Sequence, residues 1–247
     1  YPLLRSATKN ISLTLAADAK QYQNKATSGT LSDYTSLSAM MGLYGNRYDG
    51  FAGGGTSSFS ASITAGKLDL QGHSADTYGT EGEYLKANLT VLRQQMITRD
   101  ISLNVQGNLQ VANKNLDSSE KIYLGGANGI RAFPANEGGA TNGATASIEL
   151  RVHIDQHWQW TGFYDHGYLE QFQNNRSSNG GALTPNNAYQ LAGAGMALTS
   201  HWPGNIEVQV VYARRTMANP AANATTGADS DGTRVYDRFW LSVSKVF

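Results

Sequence analysis

Few polar groups in this 247-residue chain are spaced so that chemistry follows from their order. Residues 114–144 contain Leu124-Gly125-Gly126-Ala127-Asn128-Gly129-Ile130-Arg131-Ala132-Phe133. Gly125, Gly126 and Gly129 reach backbone angles closed to other residues, so a tight tip carrying Arg131 can form. Downstream lies Gly162-Phe163-Tyr164-Asp165-His166-Gly167, with Asp165 at the same parity as Gln159 and Thr161. A guanidinium and a carboxylate on one wet side invite a forked ion pair, which is binding chemistry and not bond-breaking chemistry. His153, Asp155 and His157 are metal-ligand types, but they straddle a turn, so neither metal nor cofactor is expected. Asp165 and His166 are a carboxylate and an imidazole in sequence contact; as strand neighbours they point to opposite faces, which denies them a shared substrate. The chain is expected to be no enzyme.

The elements that must position Arg131 and Asp165 are strands. Ile101, Leu103, Val105, Leu109 and Val111 alternate with Ser102, Asn104, Gln106, Asn108 and Gln110. The same period of two runs through Ala146, Ile148, Leu150, Val152 and Ile154 against Ser147, Glu149, Arg151, His153 and Asp155. Eight further segments, near 8–23, 32–47, 55–69, 82–97, 157–172, 187–201, 204–217 and 234–247, make about ten strands. They are longer than the roughly 5 or 6 residues usual in soluble sheets, and length favours a membrane barrel. Connections alternate between short (98–99, 156, 202–203) and long (70–81, 114–144, 173–186, 218–233), as periplasmic turns and outer loops do. The first loop, 24–31, and the Gly-rich turn 48–54 fit that alternation poorly.

In hydrocarbon an unpaired strand edge costs on the order of several kcal/mol per group, so the sheet is expected to close. The expectation is one domain over 1–247, an all-β, transmembrane, antiparallel up-and-down β-barrel of a Gram-negative outer membrane, with lipid around it. Tyr44, Tyr48, Trp158, Trp160, Tyr212, Phe239 and Phe247 are expected in the aromatic girdles. Glu149 and Arg151 read as generic charges of a hydrated inner wall. From residue 114 to Arg131 the chain extends on the order of 55 Å at about 3.3 Å per residue, enough to reach mid-barrel.

Composition agrees. A net charge of zero without a Lys/Arg run sets nucleic acid aside. The absence of cysteine excludes a disulfide scaffold and suits a protein crossing the periplasm. No apolar run approaches the roughly 20 residues of a membrane helix. Tyr1-Pro2-Leu3-Leu4-Arg5 has neither initiator Met nor signal peptide, as expected of a sequence that starts inside a parent protein or after processing.

With these residues in place, the sequence resembles the polypeptide-transporting outer-membrane barrels. Leu124-Gly125-Gly126, then Ile130-Arg131-Ala132-Phe133, resembles their Leu-Gly-Gly, Val-Arg-Gly-Tyr/Phe loop, and Phe163-x-Asp165-x-Gly167 is similar to the strand motif that receives the loop's arginine. Ile130 stands for the usual Val, and Ala132 for the usual Gly, which is expected to restrict the tip. The opening Tyr-Pro-Leu-Leu-Arg-Ser resembles the two-partner-secretion (TpsB) branch, related to haemolysin activation and secretion proteins. The terminal Phe247, after Phe239, Leu241 and Val243, resembles the signal read by the barrel-assembly machinery, although Lys245 interrupts its apolar side.

The resemblance implies a sixteen-stranded barrel preceded by POTRA domains, which this sequence lacks, so that the chain is the last ten strands or a smaller barrel reclosed. Ten strands leave little lumen, whereas 16 to 18 leave a channel. It also implies the function: export of a partner polypeptide through a pore whose loop 114–144 folds inward. A passive porin explains the alternation but not the Arg and Asp motifs. A barrel-assembly insertase shares the loop, and an omptin-type protease shares the ten strands but lacks a usable Asp–His pair.

Overall fold

The computed structural model describes residues 1–27, 29–72, 75–177 and 179–246. Its strands are β1 (Pro2–Arg5), β2 (Lys9–Ala26), β3 (Gly29–Asp49), β4 (Gly55–Asp69), β5 (Gly82–Met96), β6 (Ile101–Ala112), β7 (Ile122–Tyr123), β8 (Gly139–Ala140), β9 (Asn142–His153), β10 (Trp158–Glu170), β11 (Ala188–Trp202), β12 (Ile206–Arg215) and β13 (Asp237–Lys245). All but β7 and β8 form one sheet in chain order, every neighbour antiparallel. β7 and β8 pair with each other inside the β6–β9 loop, so removing them leaves an up-and-down meander of ten long strands and the short β1. No helix is long and apolar enough to cross a membrane among the described residues, which says nothing of strands.

Within this chain the sheet is open, which fits the expectation of ten strands from a larger barrel and not that of a smaller barrel reclosed. Among the described residues β1 pairs only with β2 and β13 only with β12. The first loop is also not a loop. Pairing of β2 with β3 continues to Ala26↔Gly29, giving strands of 18 and 21 residues where a membrane crossing needs about 9–11. Polar cross-strand contacts hold the part beyond the membrane: Tyr22 stacks on Tyr34 at 4.8 Å, and Gln21 and Gln23 both donate to Asp33. Turn 50–54 folds as a compact 3-10 turn over Phe51–Gly53, so it belongs with the short connections despite its glycines.

Cross-strand register fixes the two faces. Gln106, Ser147, Asp165, Gly193 and Arg215 form one row across β6, β9, β10, β11 and β12. The opposite face exposes Leu15, Met41, Leu43, Ile63, Leu89, Leu109, Ile148, Leu198, Val210 and Leu241, the outward surface a lipid-embedded barrel requires. Trp158, Trp160, Tyr212 and Phe239 lie on that outer face, Tyr212 against Phe239 at 5.1 Å. Tyr44 and Tyr48 do not. Their rows run through Thr90 and Gln94 to Asn108 and Asn104, which places them on the inner face. Strand ends count an aromatic toward the girdle only when its parity is outward, and even positions of β3 point in. Phe247 lies outside the described residues.

The buried core is on the inner face and is built by a loop. Leu124, Ile130, Ala132, Phe133 and Ala140, from the β6–β9 loop and its β8 edge, pack on Phe163, Leu169, Tyr189, Leu191, Ala197, Val211 and Ala213 of β10, β11 and β12.

Candidate functional site

Loop 113–141 is fastened before it reaches its tip. Lys86 on β5 pairs with Glu120 at 2.7 Å. Buried Gln110 donates to the Glu120 and Thr141 carbonyls. Asn115 ties this loop to its neighbours, donating to Tyr78 and Asn174 carbonyls and accepting from the Asn174 N–H.

The tip is a backbone knot. Ile130 N–H donates to Leu124 O at 2.7 Å, Gly129 N–H to Gly126 O at 3.0 Å, and Phe133 N–H to Ile130 O at 3.0 Å. Gly126 has φ +108°, and a Cβ on Gly129 would sit 2.1 Å from Leu124 O. One on Gly125 would sit 2.3 Å from Pro134 O, so each of the three glycines is required by close approach or by backbone angle.

The knot seats in a bed of glycines. A Cβ on Gly167 would lie 2.7 Å from Ile130 Cδ1, and one on Gly193 would lie 2.3 Å from Ala132 Cβ. Ala132 has no positive φ and is fully buried. The expected restriction at Ala132 therefore does not arise; its methyl occupies the space that Gly193 leaves open. Phe133 is fully buried, with the Arg215 guanidinium 4.5 Å from its ring centroid.

Arg131 points from this seat at β9 and β10. Its Nε donates to Asp165 Oδ2 at 2.9 Å and its NH2 to Oδ1 at 2.7 Å, a forked pair that its own backbone N–H reinforces at 3.1 Å. NH1 donates to Glu149 at 2.7 Å and NH2 to Ser147 Oγ at 3.1 Å, while that hydroxyl donates to Asp165 at 2.7 Å. The guanidinium carbon lies 3.4 Å from the Phe163 ring centroid. Asp165 is 1 % exposed and the Arg131 side chain 11 %. Burial opposes the Arg131 charge, and the Asp165 and Glu149 carboxylates outweigh it, holding the guanidinium above its ordinary value. A wet pair of this kind contributes about 0–1 kcal/mol, whereas stripping one partner from a buried pair costs about 3–5 kcal/mol. Its burial places this pair in the second class.

Sequence order alone missed part of the site. Glu149 and Arg151 are not generic wall charges: Arg151 donates twice to Glu149, at 2.6 and 3.0 Å, and so steadies the carboxylate that holds Arg131. Trp240 Nε1 donates to Arg131 O at 2.8 Å, and Arg215 Nε to Ala132 O at 3.2 Å. Arg215 and Arg238 both meet buried Asp229, and Ser230 N–H donates to Glu137, which straps the β12–β13 loop over the tip. The sequence carried a signal only for the seat, Gly193, since a glycine inside a strand marks close approach by another element, here Ala132. We expect Trp240→Phe, which keeps the ring and removes the donor, to weaken tip docking by about 1 kcal/mol. Proteolysis of loop 113–141 should then rise about fivefold, and an unchanged rate would show that this hydrogen bond contributes nothing.

The remaining candidates stay apart. Asp155 Oδ1 accepts from the His157 and Trp158 N–H groups and closes the β9–β10 turn. No cluster of His, Asp or Glu among the described residues is arranged to hold a metal ion. His166 faces outward against Gln190 at 3.1 Å, away from Asp165. Beside the tip lies a polar cavity of about 580 Å³, walled by Gln106, Arg151, Gln159, Thr199, His201 and Glu207.

Comparison with known proteins meets this geometry at both scales. CdiB from Escherichia coli superposes with a TM-score of 0.72 over 98% of this chain and 43% of that one, at 14% identity. CdiB from Acinetobacter baumannii superposes at 0.68 over 98% and 40%, again at 14% identity. The heme/hemopexin transporter protein HuxB of Haemophilus influenzae strain 86-028NP is 27% identical over 202 residues, 78% of this chain and 33% of that protein. The chain thus spans about a third of the length of the curated relatives it matches. The model of the haemolysin secretion/activation protein ShlB/FhaC/HecB family matches residues 1–199, a stretch that holds the loop, its arginine and the strand that receives it. By that match the chain belongs to the haemolysin secretion/activation family of integral outer-membrane β-barrel proteins.

Proposed function

We propose that the protein carrying this chain exports a partner polypeptide across the outer membrane, and that this chain supplies the C-terminal part of the pore wall together with the loop that occupies its lumen. The observation that carries this reading is the burial of the Arg131 tip against β10 and β11 on the polar inner face, where a passive pore needs only a hydrated wall. No covalent step is involved. The inner wall offers charged pairs and amides that hydrate an extended chain without holding it, and the loop defines whether that path is occupied. Lipid covers the outer face, and the terminal strand, with Phe239, Leu241 and Val243 outward, is the segment offered to the assembly machinery.

The test is export. Cells producing the complete protein with the polypeptide encoded beside it should release that polypeptide into the medium, and cells lacking the protein should retain it. Ion conductance without release would instead identify a porin. Release unaffected, with other outer-membrane proteins depleted, would identify an insertase.

A further inference from the structure

The outer face of β2–β5 is apolar over a sharply bounded belt. Row by row it reads Ile11, Gly45, Phe59 and Val91, then Leu13, Leu43, Ala61 and Leu89, then Leu15, Met41, Ile63 and Ala87. From Leu37 to Arg47 the strand rises about 33 Å at about 3.3 Å per residue, which at a tilt of about 40° is about 25 Å of membrane thickness. At the short-turn end the next row is Lys9, Arg47, Ser57 and Arg93, on four adjacent strands. At the other end the row is Ala19, Leu37, Lys67 and Glu83, in which opposite charges stand side by side.

The cationic row is only partly neutralised. Arg93 forks onto Asp49 at 2.7 and 2.9 Å and also donates to Ser57. Among the described residues Lys9 and Arg47 have no side-chain hydrogen bond or ion pair, and both are exposed on adjacent strands. Two cations therefore stand in excess over one carboxylate at the edge of the apolar belt. Directly below them is a groove of about 570 Å³ lined by Lys9, Arg47, Ser57, Phe59, Val91 and Arg93. The Phe59 wall of the groove leans on Gly45: a Cβ there would lie 2.5 Å from Phe59 Cε1, so the Phe59 ring lies over the Gly45 backbone.

We propose that this groove is a binding site for an anionic glycerophospholipid of the leaflet at the short-turn rim, with the headgroup phosphate between Lys9 and Arg47 and an acyl chain along Phe59 and Val91. Charge excess and apolar floor must be satisfied together. A free anion would take only the cations, and a neutral lipid only the floor. The proposal rests on the orientation that puts short turns at the periplasmic side, and is separable from export because it concerns the outer face alone.

The test uses the complete protein, native mass spectrometry, and three added lipids: phosphatidylglycerol, phosphatidylcholine and lipid A. Phosphatidylglycerol should be retained preferentially, and Lys9→Gln with Arg47→Gln should weaken that retention roughly tenfold. Lys67→Gln at the opposite rim should change nothing. Equal retention of phosphatidylcholine, preference for lipid A, or an unmoved double variant would each overturn the site. If the double variant does not insert, the unaltered protein still decides: raised salt must release phosphatidylglycerol and spare phosphatidylcholine, and indifference to salt overturns the proposal. Export is scored in parallel, so lost lipid selectivity with intact export sinks this inference and leaves the transport reading standing.

Discussion

On the proposed export function, Arg131→Ala in the complete protein should reduce release of the partner polypeptide at least about tenfold while the barrel remains inserted and heat-modifiable. The size follows from what is left behind. Asp165, 1 % exposed, loses the donors that neutralise it, and Glu149 keeps only Arg151. Stranding a buried carboxylate costs about 3–5 kcal/mol, which is enough to undock a loop tip but acts on a side chain remote from the lipid-facing belt. Asp165→Ala should give the same phenotype, because the buried guanidinium loses its forked partner and must share Glu149 with Arg151. The two effects should not add: once one partner is gone, removing the other relieves an unpaired charge. Secretion at the level of the unaltered protein in either single variant, or strictly additive losses, would show that the pair does not govern the loop.

The second large effect is steric. Gly193→Val should expel the tip from its seat, because the first side-chain carbon at position 193 would already lie 2.3 Å from Ala132 Cβ. Overpacking of this kind costs about 1–3 kcal/mol, and here the loop is the element free to move. Amide hydrogen exchange over 124–133 should accelerate by one to two orders of magnitude, while exchange within strands β6 and β9 stays as it was. The diagnostic partner is Ala132→Gly. Combined with the milder Gly193→Ala, it should restore slow exchange, since one methyl then occupies the space that two cannot share. Failure of that rescue would mean that the Ala132–Gly193 contact is not what seats the tip.

Much of the architecture was legible because period-two alternation is a local property. Each segment from Ile101 to Ile154 declares its two faces without reference to any neighbour, and the ten long strands follow. What was not legible depends on partners. The end of the β2–β3 hairpin looked like a loop because Asn24, Lys25, Gly29 and Thr30 are loop-like residues, and only their pairing across the hairpin makes them strand. Tyr44 and Tyr48 were assigned by nearness to a strand end, yet register through β4 and β5 turns them inward. At the site, Arg131 and Asp165 were readable from glycine placement and parity. Trp240 and Arg215 were not, because they reach the tip through its carbonyls, and a carbonyl looks the same in every sequence. Glu149 fell between the two cases: its inward parity was plain, but its role depends on which of two arginines reaches it.

Of the four charges at the centre of the site, three are rooted in strands, Glu149 and Arg151 on β9 and Asp165 on β10, and one rides on a loop. With Arg131 seated, two cations face two anions and the wall is neutral. With Arg131 withdrawn, two carboxylates face Arg151 alone, and the same stretch of wall becomes anionic and hydrated. The position of the loop and the sign of this stretch of inner wall are therefore one variable, and on the proposed pore function the ion selectivity of the complete protein should report where the loop sits.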